Sequence, residues 1–259
     1  MLISEGCVRS NAARDEASGS DTRSLTPRVD CSGVDAVAVN KEADSYSEGT
    51  QGEPDPATAA PLYEKACFCG HFPACTKLAA MRVLGVGVPQ DQGRAAMLYQ
   101  RACEGNESTA CNELGLMYQR GDHVEKDPST SARLYSKACE SGLVMSCLNL
   151  AVLYHQGEGV DRDPTKAAEL YQKACEGGDA AACYSVGIAN ASGEGVTQDY
   201  VKAAELYGKA CEHGLPAACG NLAALYYTGT GVTQDRSEAT RLYKLACDGG
   251  LEAACPYSE

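Results

Sequence analysis

Twelve cysteines stand in pairs eight residues apart: Cys67/Cys75, Cys103/Cys111, Cys139/Cys147, Cys175/Cys183, Cys211/Cys219 and Cys247/Cys255. Each pair follows the last at an interval of 36 residues. Thiols at such spacing can oxidise to disulfides, ligate a soft metal, or stay reduced in a core. On one continuous helix, residues eight apart lie roughly 12 Å from each other, beyond disulfide reach. Three residues after the first cysteine of each pair stands Gly70, Asn106, Gly142, Gly178, Gly214 or Gly250. These residue types suit a left-handed helix terminus, so the chain turns there and the two sulfurs come to facing ends of adjacent helices. A disulfide is then the expected product. Reduced core thiols are an alternative. Zinc is another, but it needs four ligands within about 2.3 Å, and pairs on successive repeats are too far apart to share an ion. Each short covalent loop would contribute roughly 2.5 kcal/mol in the chain-entropy model. Cys7, Cys31 and Cys69 fall outside the pairs, and Cys69 lies near enough to Cys67 to compete for Cys75.

The elements that position these thiols recur with the same period. The phrase AAELYQKACEGG, from Ala167 to Gly178, returns as AAMLYQRACEGN, SARLYSKACESG, AAELYGKACEHG and ATRLYKLACDGG, with a weaker copy, AAPLYEKACFCG, from Ala59. A fixed period of this size marks a stack of supersecondary units. Asp55, Asp91, Asp127, Asp163, Asp199 and Asp235 form one column, followed by proline at Pro56, Pro128 and Pro164. An aspartate before a first-turn proline is a helix start. A helix, here called B, therefore runs from about Asp163 to Cys175 and at the matching positions, with Ala167, Leu170, Tyr171 and Ala174 on one stripe. A second helix, A, follows each turn. It carries apolar positions such as Leu150, Leu153 and Tyr154, and it ends at Gly85, Gly121, Gly157, Gly193 or Gly229. Val88, Val124, Val160, Val196 and Val232 then anchor the loop to the next helix B. Pro61 falls inside the first copy of helix B and is expected to kink or shorten it. The spacing thus predicts an opening helix B over about 55–67, five A–B pairs, and a stub at 251–259. Residues 1–54 are polar, carry ten acids and five bases, and read as a disordered leader or linker.

The net charge of −13 excludes the basic footprint of a nucleic-acid binder and argues against anionic membrane surfaces. No apolar run approaches membrane-spanning length, and residues 1–20 lack the apolar core of a signal peptide. The residues before Cys7 are too few and too polar for a lipoprotein site. No catalytic signature is evident: no Ser is followed three positions later by Lys, and neither Lys-Thr-Gly nor Ser-Asp-Asn occurs. The four histidines, His71, His123, His155 and His213, form no His-x-His or His-Glu-x-x-His pair. One helix-A column, Lys77, Glu113, Asn149, Ser185 and Asn221, is the candidate ligand surface. Asn149 and Asn221 stand out because a carboxamide both donates to and accepts from a peptide backbone. A solvated helix face with hairpin hydrogen bonds is the competing reading. The column Tyr99, Tyr135, Tyr171, Tyr207 and Tyr243 reads as packing rather than as an aromatic ligand platform.

The units LGLMYQRGDHVEKD and ARLYSKACESG resemble the Sel-one-like repeat, a relative of the tetratricopeptide repeat. Cysteines eight apart in every unit make residues 55–255 similar to the Helicobacter cysteine-rich proteins within that family. The resemblance implies an all-α, right-handed αα superhelix clasped by disulfides, a secreted or periplasmic location, and protein or peptide binding. Some family members are described as penicillin-binding proteins or β-lactamases, so weak β-lactam chemistry is the runner-up. A mitochondrial intermembrane-space relative and a reduced cytosolic adaptor are further alternatives. The expected protein is a monomeric, non-catalytic scaffold without cofactor or metal, binding a protein or peptide through its concave helix-A groove.

Overall fold

The computed structural model describes residues 29–50 and 52–258. Cys7 and most of the expected leader lie outside the described residues. Cys31–Glu259 forms one compact unit. Its described part is a chain of α-helices of thirteen residues each. They are α1 (Ala36–Glu48), α2 (Pro56–Phe68), α3 (Phe72–Leu84), α4 (Gln92–Glu104), α5 (Ser108–Arg120), α6 (Pro128–Glu140), α7 (Val144–Gln156), α8 (Pro164–Glu176), α9 (Ala180–Ser192), α10 (Tyr200–Glu212), α11 (Pro216–Thr228) and α12 (Arg236–Asp248). A 3-10 turn, Glu252–Tyr257, closes the array. Each helix packs on the one before and the one after, so the molecule is an all-helical repeat solenoid.

The local chemistry sets these bounds. Every helix B begins at the aspartate column, and Asp55, Asp91, Asp127, Asp163, Asp199 and Asp235 each accept at least one orphan N–H of the first turn. Every helix A ends on a left-handed glycine whose N–H returns to a carbonyl four residues back, as Gly157 does to Leu153. Helix B gives way to helix A within three residues, the middle one left-handed. Asn106 takes that conformation with φ +66° where the other repeats use glycine. The buried stripes consist mainly of Ala and Cys, with at most two buried Tyr or Leu in each helix, so the core is thin.

Seven disulfides hold it. Six join the cysteines eight residues apart: Cys67–Cys75, Cys103–Cys111, Cys139–Cys147, Cys175–Cys183, Cys211–Cys219 and Cys247–Cys255, with Cα–Cα distances of 4.5–4.9 Å. The second member of each pair sits at the start of the element after the turn. Cys111, Cys147, Cys183 and Cys219, on α5, α7, α9 and α11, are at most 4% exposed, so these sulfurs belong to the core and offer no surface to a ligand. The seventh bond joins Cys31 to Cys69, with Cα atoms 5.4 Å apart, so Cys69 does not contend for Cys75. Cys31 stands 36 residues before Cys67, on the same period as the helix-B cysteines, but Val39 occupies the place of its partner eight residues on.

Two expectations need correction. The ordered array begins before residue 55. Residues 36–48 form α1, a helix A for α2, so the array holds six A–B pairs. The polar composition of α1 hides this: Asn40 and Ala43 are its buried residues. Asp44 ties it down, accepting from Tyr63 Oη of α2 at 2.7 Å and from Lys77 Nζ of α3 at 2.5 Å. Second, Pro61 does not shorten α2, which keeps the common length. The proline removes one backbone hydrogen bond near the start of the helix, and buried Ala59, Ala60, Tyr63 and Ala66 hold the rest. The C-terminal stub stands as expected and is tied down. Cys255 is bonded to Cys247, Ala254 is buried, and the Tyr257 ring lies 5.2 Å from Tyr243, covering the open side of α12.

Successive helices B are also joined through space. A basic residue in the last turn of one donates to a carbonyl at the C-terminus of the one before: Arg101 to Phe68 O at 3.3 Å, Lys137 to Cys103 O at 2.6 Å and Lys173 to Cys139 O at 3.0 Å. Each places a cation at the negative end of a neighbouring helix dipole and satisfies an orphan carbonyl.

Two outcomes follow. Fifteen cysteines less the fourteen in seven bonds leave one. Alkylation of unreduced, denatured protein should therefore add one label by intact mass, and three labels would mean that the Cys31–Cys69 bond does not form. The caps add an acid limit. Hydrogen bonds from the Ser129 and Thr130 side chains, and from the Thr130 N–H, hold Asp127 at about 2. Its native value is depressed, so its contribution is complete above the ordinary carboxylate value and is lost as pH falls from about 4 towards 2. The melting temperature of oxidised protein should decline across that window, and Asp127→Asn should flatten the decline.

Candidate functional site

The helix-A column sits at one level on successive helices, and all five of its residues are half-buried. The structure gives each a definite partner. Lys77 is paired with Asp44, a residue that sequence reading assigned to the leader. Burial alone would raise the Asp44 carboxyl, but hydrogen bonds from Lys77, Tyr63 and Asn40 and the Lys77 charge hold it below its ordinary value. Asn149 Nδ2 donates to Asn112 Oδ1 of the preceding helix A at 3.1 Å. Asn112 also accepts from Ser146 Oγ at 2.9 Å and donates to Glu113 Oε1 at 3.1 Å, so Glu113 and Asn149 are joined through it. Asn221 Nδ2 reaches Tyr184 Oη of the preceding helix A at 3.4 Å. Ser185 Oγ donates to the Ala181 carbonyl of its own helix at 2.9 Å rather than to a base. Much of this column therefore splints neighbouring repeats.

Asn112 was not legible as part of the site. It is 1% exposed, yet its column holds Thr76, Leu148, Tyr184 and Gly220 elsewhere, so no period marks it. An amide buried beside Cys111 was the only available signal.

Between successive helices A the face opens into slots. One lies between α3 and α5, with Tyr99 as its floor and Glu113, Arg120, Asp122 and His123 around its mouth. Two repeats on, the same positions form a slot between α7 and α9, with Tyr171 as floor and His155, Ser185, Ile188 and Glu194 around it. Two column residues, Glu113 and Ser185, thus line open space. The floors are chemically quiet. Burial, with a further push from the Glu113 charge, raises the Tyr99 phenol to about 12, and burial raises Tyr171. Both rings stay protonated at neutral pH. The slots offer an aromatic floor and a polar rim, the makings of a contact surface. Among the described residues no cluster of three or more His, Cys, Asp or Glu side chains has the arrangement of a metal site, and no helix is long and apolar enough to cross a membrane.

The Tyr column is packing. Tyr99, Tyr135, Tyr171 and Tyr207 are buried, and Tyr135 and Tyr207 rest on Gly115 and Gly187, where an added Cβ would come within 2.7 Å of the ring.

Comparison with known proteins fits this geometry. The model of the Sel1 repeat matches residues 41–71, 73–107, 108–143, 144–179, 180–215 and 216–251. The chain belongs to the Sel1 repeat family. Similar solved structures include c5321, a protective antigen of uropathogenic Escherichia coli with an SLR fold, at 28% identity and a TM-score of 0.84, covering 86% of this chain and 48% of that one. This chain therefore spans about half the length of that relative. A Sel1 repeat protein from Oxalobacter formigenes matches at 29% identity and a TM-score of 0.71, over 82% of this chain and 87% of that one. Cysteine-rich protein B of Helicobacter pylori matches at 33% identity and a TM-score of 0.42, over 51% of this chain and 96% of that one. No curated protein matches the sequence.

The Sel1 repeat loop sets how closely units stack. In four loops a left-handed glycine lies against backbone at the start of the preceding helix B. A Cβ on Gly159 would fall 2.2 Å from the Pro128 carbonyl carbon, and one on Gly87 would fall 2.4 Å from that of Pro56. The third Sel1 repeat has His123 here, with φ +57°. His123 lines the wider of the two slots, about 710 Å³ against 440 Å³. Non-glycine residues in this region carry strain. His123→Gly should accordingly stabilise the protein by about 1 kcal/mol. Gly159→Ala, which meets rigid backbone, should cost about 3 kcal/mol. Urea unfolding of the two oxidised variants checks both signs.

Proposed function

We propose that this protein is a non-catalytic, disulfide-clasped Sel1 repeat scaffold that binds a protein or peptide along its helix-A face. The observation that carries this reading is the recurrence of one slot at two places on that face. Each is floored by a buried tyrosine and rimmed by a column residue, Glu113 in one and Ser185 in the other. The two lie two repeats apart on one face, so an extended segment crossing α3 to α9 would enter both. The Asn112 amide network between them stiffens the intervening surface, which lowers the entropy lost on binding. Half-buried groups with spare capacity, such as the Asn149 carboxamide oxygen, suit a peptide backbone.

The cysteines bear on the compartment. Seven disulfides persist only where thiols are kept oxidised, so the scaffold works outside the reducing cytoplasm, as a secreted or periplasmic protein. The net charge of −13 favours protein partners with basic surface over nucleic acid.

Selection from a phage-displayed random peptide library on the oxidised chain tests the groove. Enriched peptides should lose at least about tenfold in affinity for the Glu113→Arg/Ser185→Arg variant, whose long side chains enter both slots. Peptides that bind this variant as well as the parent would overturn the assignment to the helix-A face. The same preparation should leave a chromogenic cephalosporin intact, and turnover above the uncatalysed rate would overturn the non-catalytic reading.

A further inference from the structure

The opposite set of inter-helix spaces lies between successive helices B, and there the repeats are not equal. Between α4 and α6 the space is about 670 Å³, and the repeat-equivalent space between α10 and α12 is about 1270 Å³. Two substitutions within the repeat accompany the difference. In α4, α6 and α8 one position carries a polar side chain that donates to the glutamate four residues on: Gln100 to Glu104 at 3.1 Å, Ser136 to Glu140 at 2.8 Å and Gln172 to Glu176 at 2.8 Å. In α10 that position is Gly208. Glu212 has no such donor, and the nearest side-chain atom to a Cβ built on Gly208 is Leu222 Cδ2, at 3.9 Å. The second change is at Leu245. Its equivalents Lys137 and Lys173 reach across to clamp the preceding helix B, whereas Leu245 is 45% exposed beside the slot.

The result is a slot with an apolar floor and an acidic rim. Ala204, Leu222, Tyr226 and Leu242 line it, with Val201 and Leu245 exposed at its edges. Glu205 and Glu212 stand on α10 on either side of Gly208, seven residues apart, or about 10 Å along the helix. Arg241 is the one basic side chain lining the slot, and it is spent on Glu238, with hydrogen bonds of 2.8 and 2.6 Å. The slot therefore presents two uncompensated carboxylates two helical turns apart, with apolar surface between them.

We propose that the α10–α12 slot docks an amphipathic helix of a partner protein. That helix places two basic residues seven apart and apolar residues midway between them. A helix repeats its face every seven residues, so such a pair matches the Glu205–Glu212 separation while the intervening apolar side chains enter the space left by Gly208. The site is separate from the helix-A slots and does not depend on them.

The test uses the full oxidised chain. The probe is a fluorescein-labelled synthetic peptide with two lysines seven residues apart, leucines midway and an Ala/Gln background, read by fluorescence anisotropy. Saturable binding is expected, weakening with salt. Affinity should fall at least about tenfold in Glu205→Gln/Glu212→Gln and in Gly208→Gln/Leu245→Lys. The second variant restores side chains that other repeats already carry, so the fold tolerates it, and circular dichroism confirms this. Glu113→Arg/Ser185→Arg should leave the affinity unchanged, which separates this site from the helix-A face. No saturable binding, or equal binding of the peptide with glutamates for lysines, would overturn the proposal. So would a concentration-dependent dimer in sedimentation that Leu245→Lys abolishes, because the slot would then hold a second copy of the chain.

Discussion

The three-residue turn from each helix B into the next helix A is the constraint on which the solenoid depends. The stripes that meet across it consist largely of alanine and cysteine, and burying an Ala methyl contributes far less than burying a leucine. Side-chain packing alone leaves little to hold one repeat on the next. The disulfide across the turn supplies the missing restraint, because it reduces the freedom of the unfolded chain whatever the size of the core. Nine of the twelve cysteines in these turns are buried, so most of the bonds also serve as core. The Cys31–Cys69 bond extends the device to the first pair of helices, where a longer loop of the unfolded chain gives it a larger effect, about 4 kcal/mol in the same model.

What could be read in advance was whatever the period carries. The aspartate caps, the glycine stops, the eight-residue cysteine pairs and the tyrosine packing all recur every 36 residues. Each rests on local chemistry that one repeat contains complete. What escaped was whatever departs from the period or acts between units. Helix α1 was hidden because Val39 replaces the second cysteine and few of its residues are buried. Cys31 was in phase all along, but its bond crosses to Cys69, a position with no counterpart in other repeats. The Asn112 hub has no column. The Arg101, Lys137 and Lys173 clamps do form a column, yet a row of cations in last turns reads as ordinary dipole chemistry until the neighbouring helix end is seen beside it.

A repeat protein has two families of spaces between its helices, one on each side, and here the two are used differently. On the helix-A side, polar residues cross from unit to unit and leave openings over Tyr99 and Tyr171. On the helix-B side, cations and Gln–Glu or Ser–Glu pairs line narrower spaces, as between α4 and α6. The space is wider between α10 and α12, where Gly208 and Leu245 remove both devices together. Individuality in such a molecule lies in these departures, because the shared residues are already committed to building the array.

The even spacing of the cysteines has a consequence for how such a chain grows. Any window of 36 residues taken from within residues 70–255 holds one cysteine of each kind, wherever its boundaries fall. An in-frame tandem duplication or deletion of that length therefore joins the first cysteine of one unit to the second cysteine of another in the correct register. The array gains or loses a unit, and no thiol is left without a mate. Because each bond spans eight residues and stays within one turn, the new unit needs no rearrangement of the others to oxidise correctly. The number of units is thus free to drift while the covalent pattern stays closed, a freedom denied to disulfide-rich proteins whose bonds interleave.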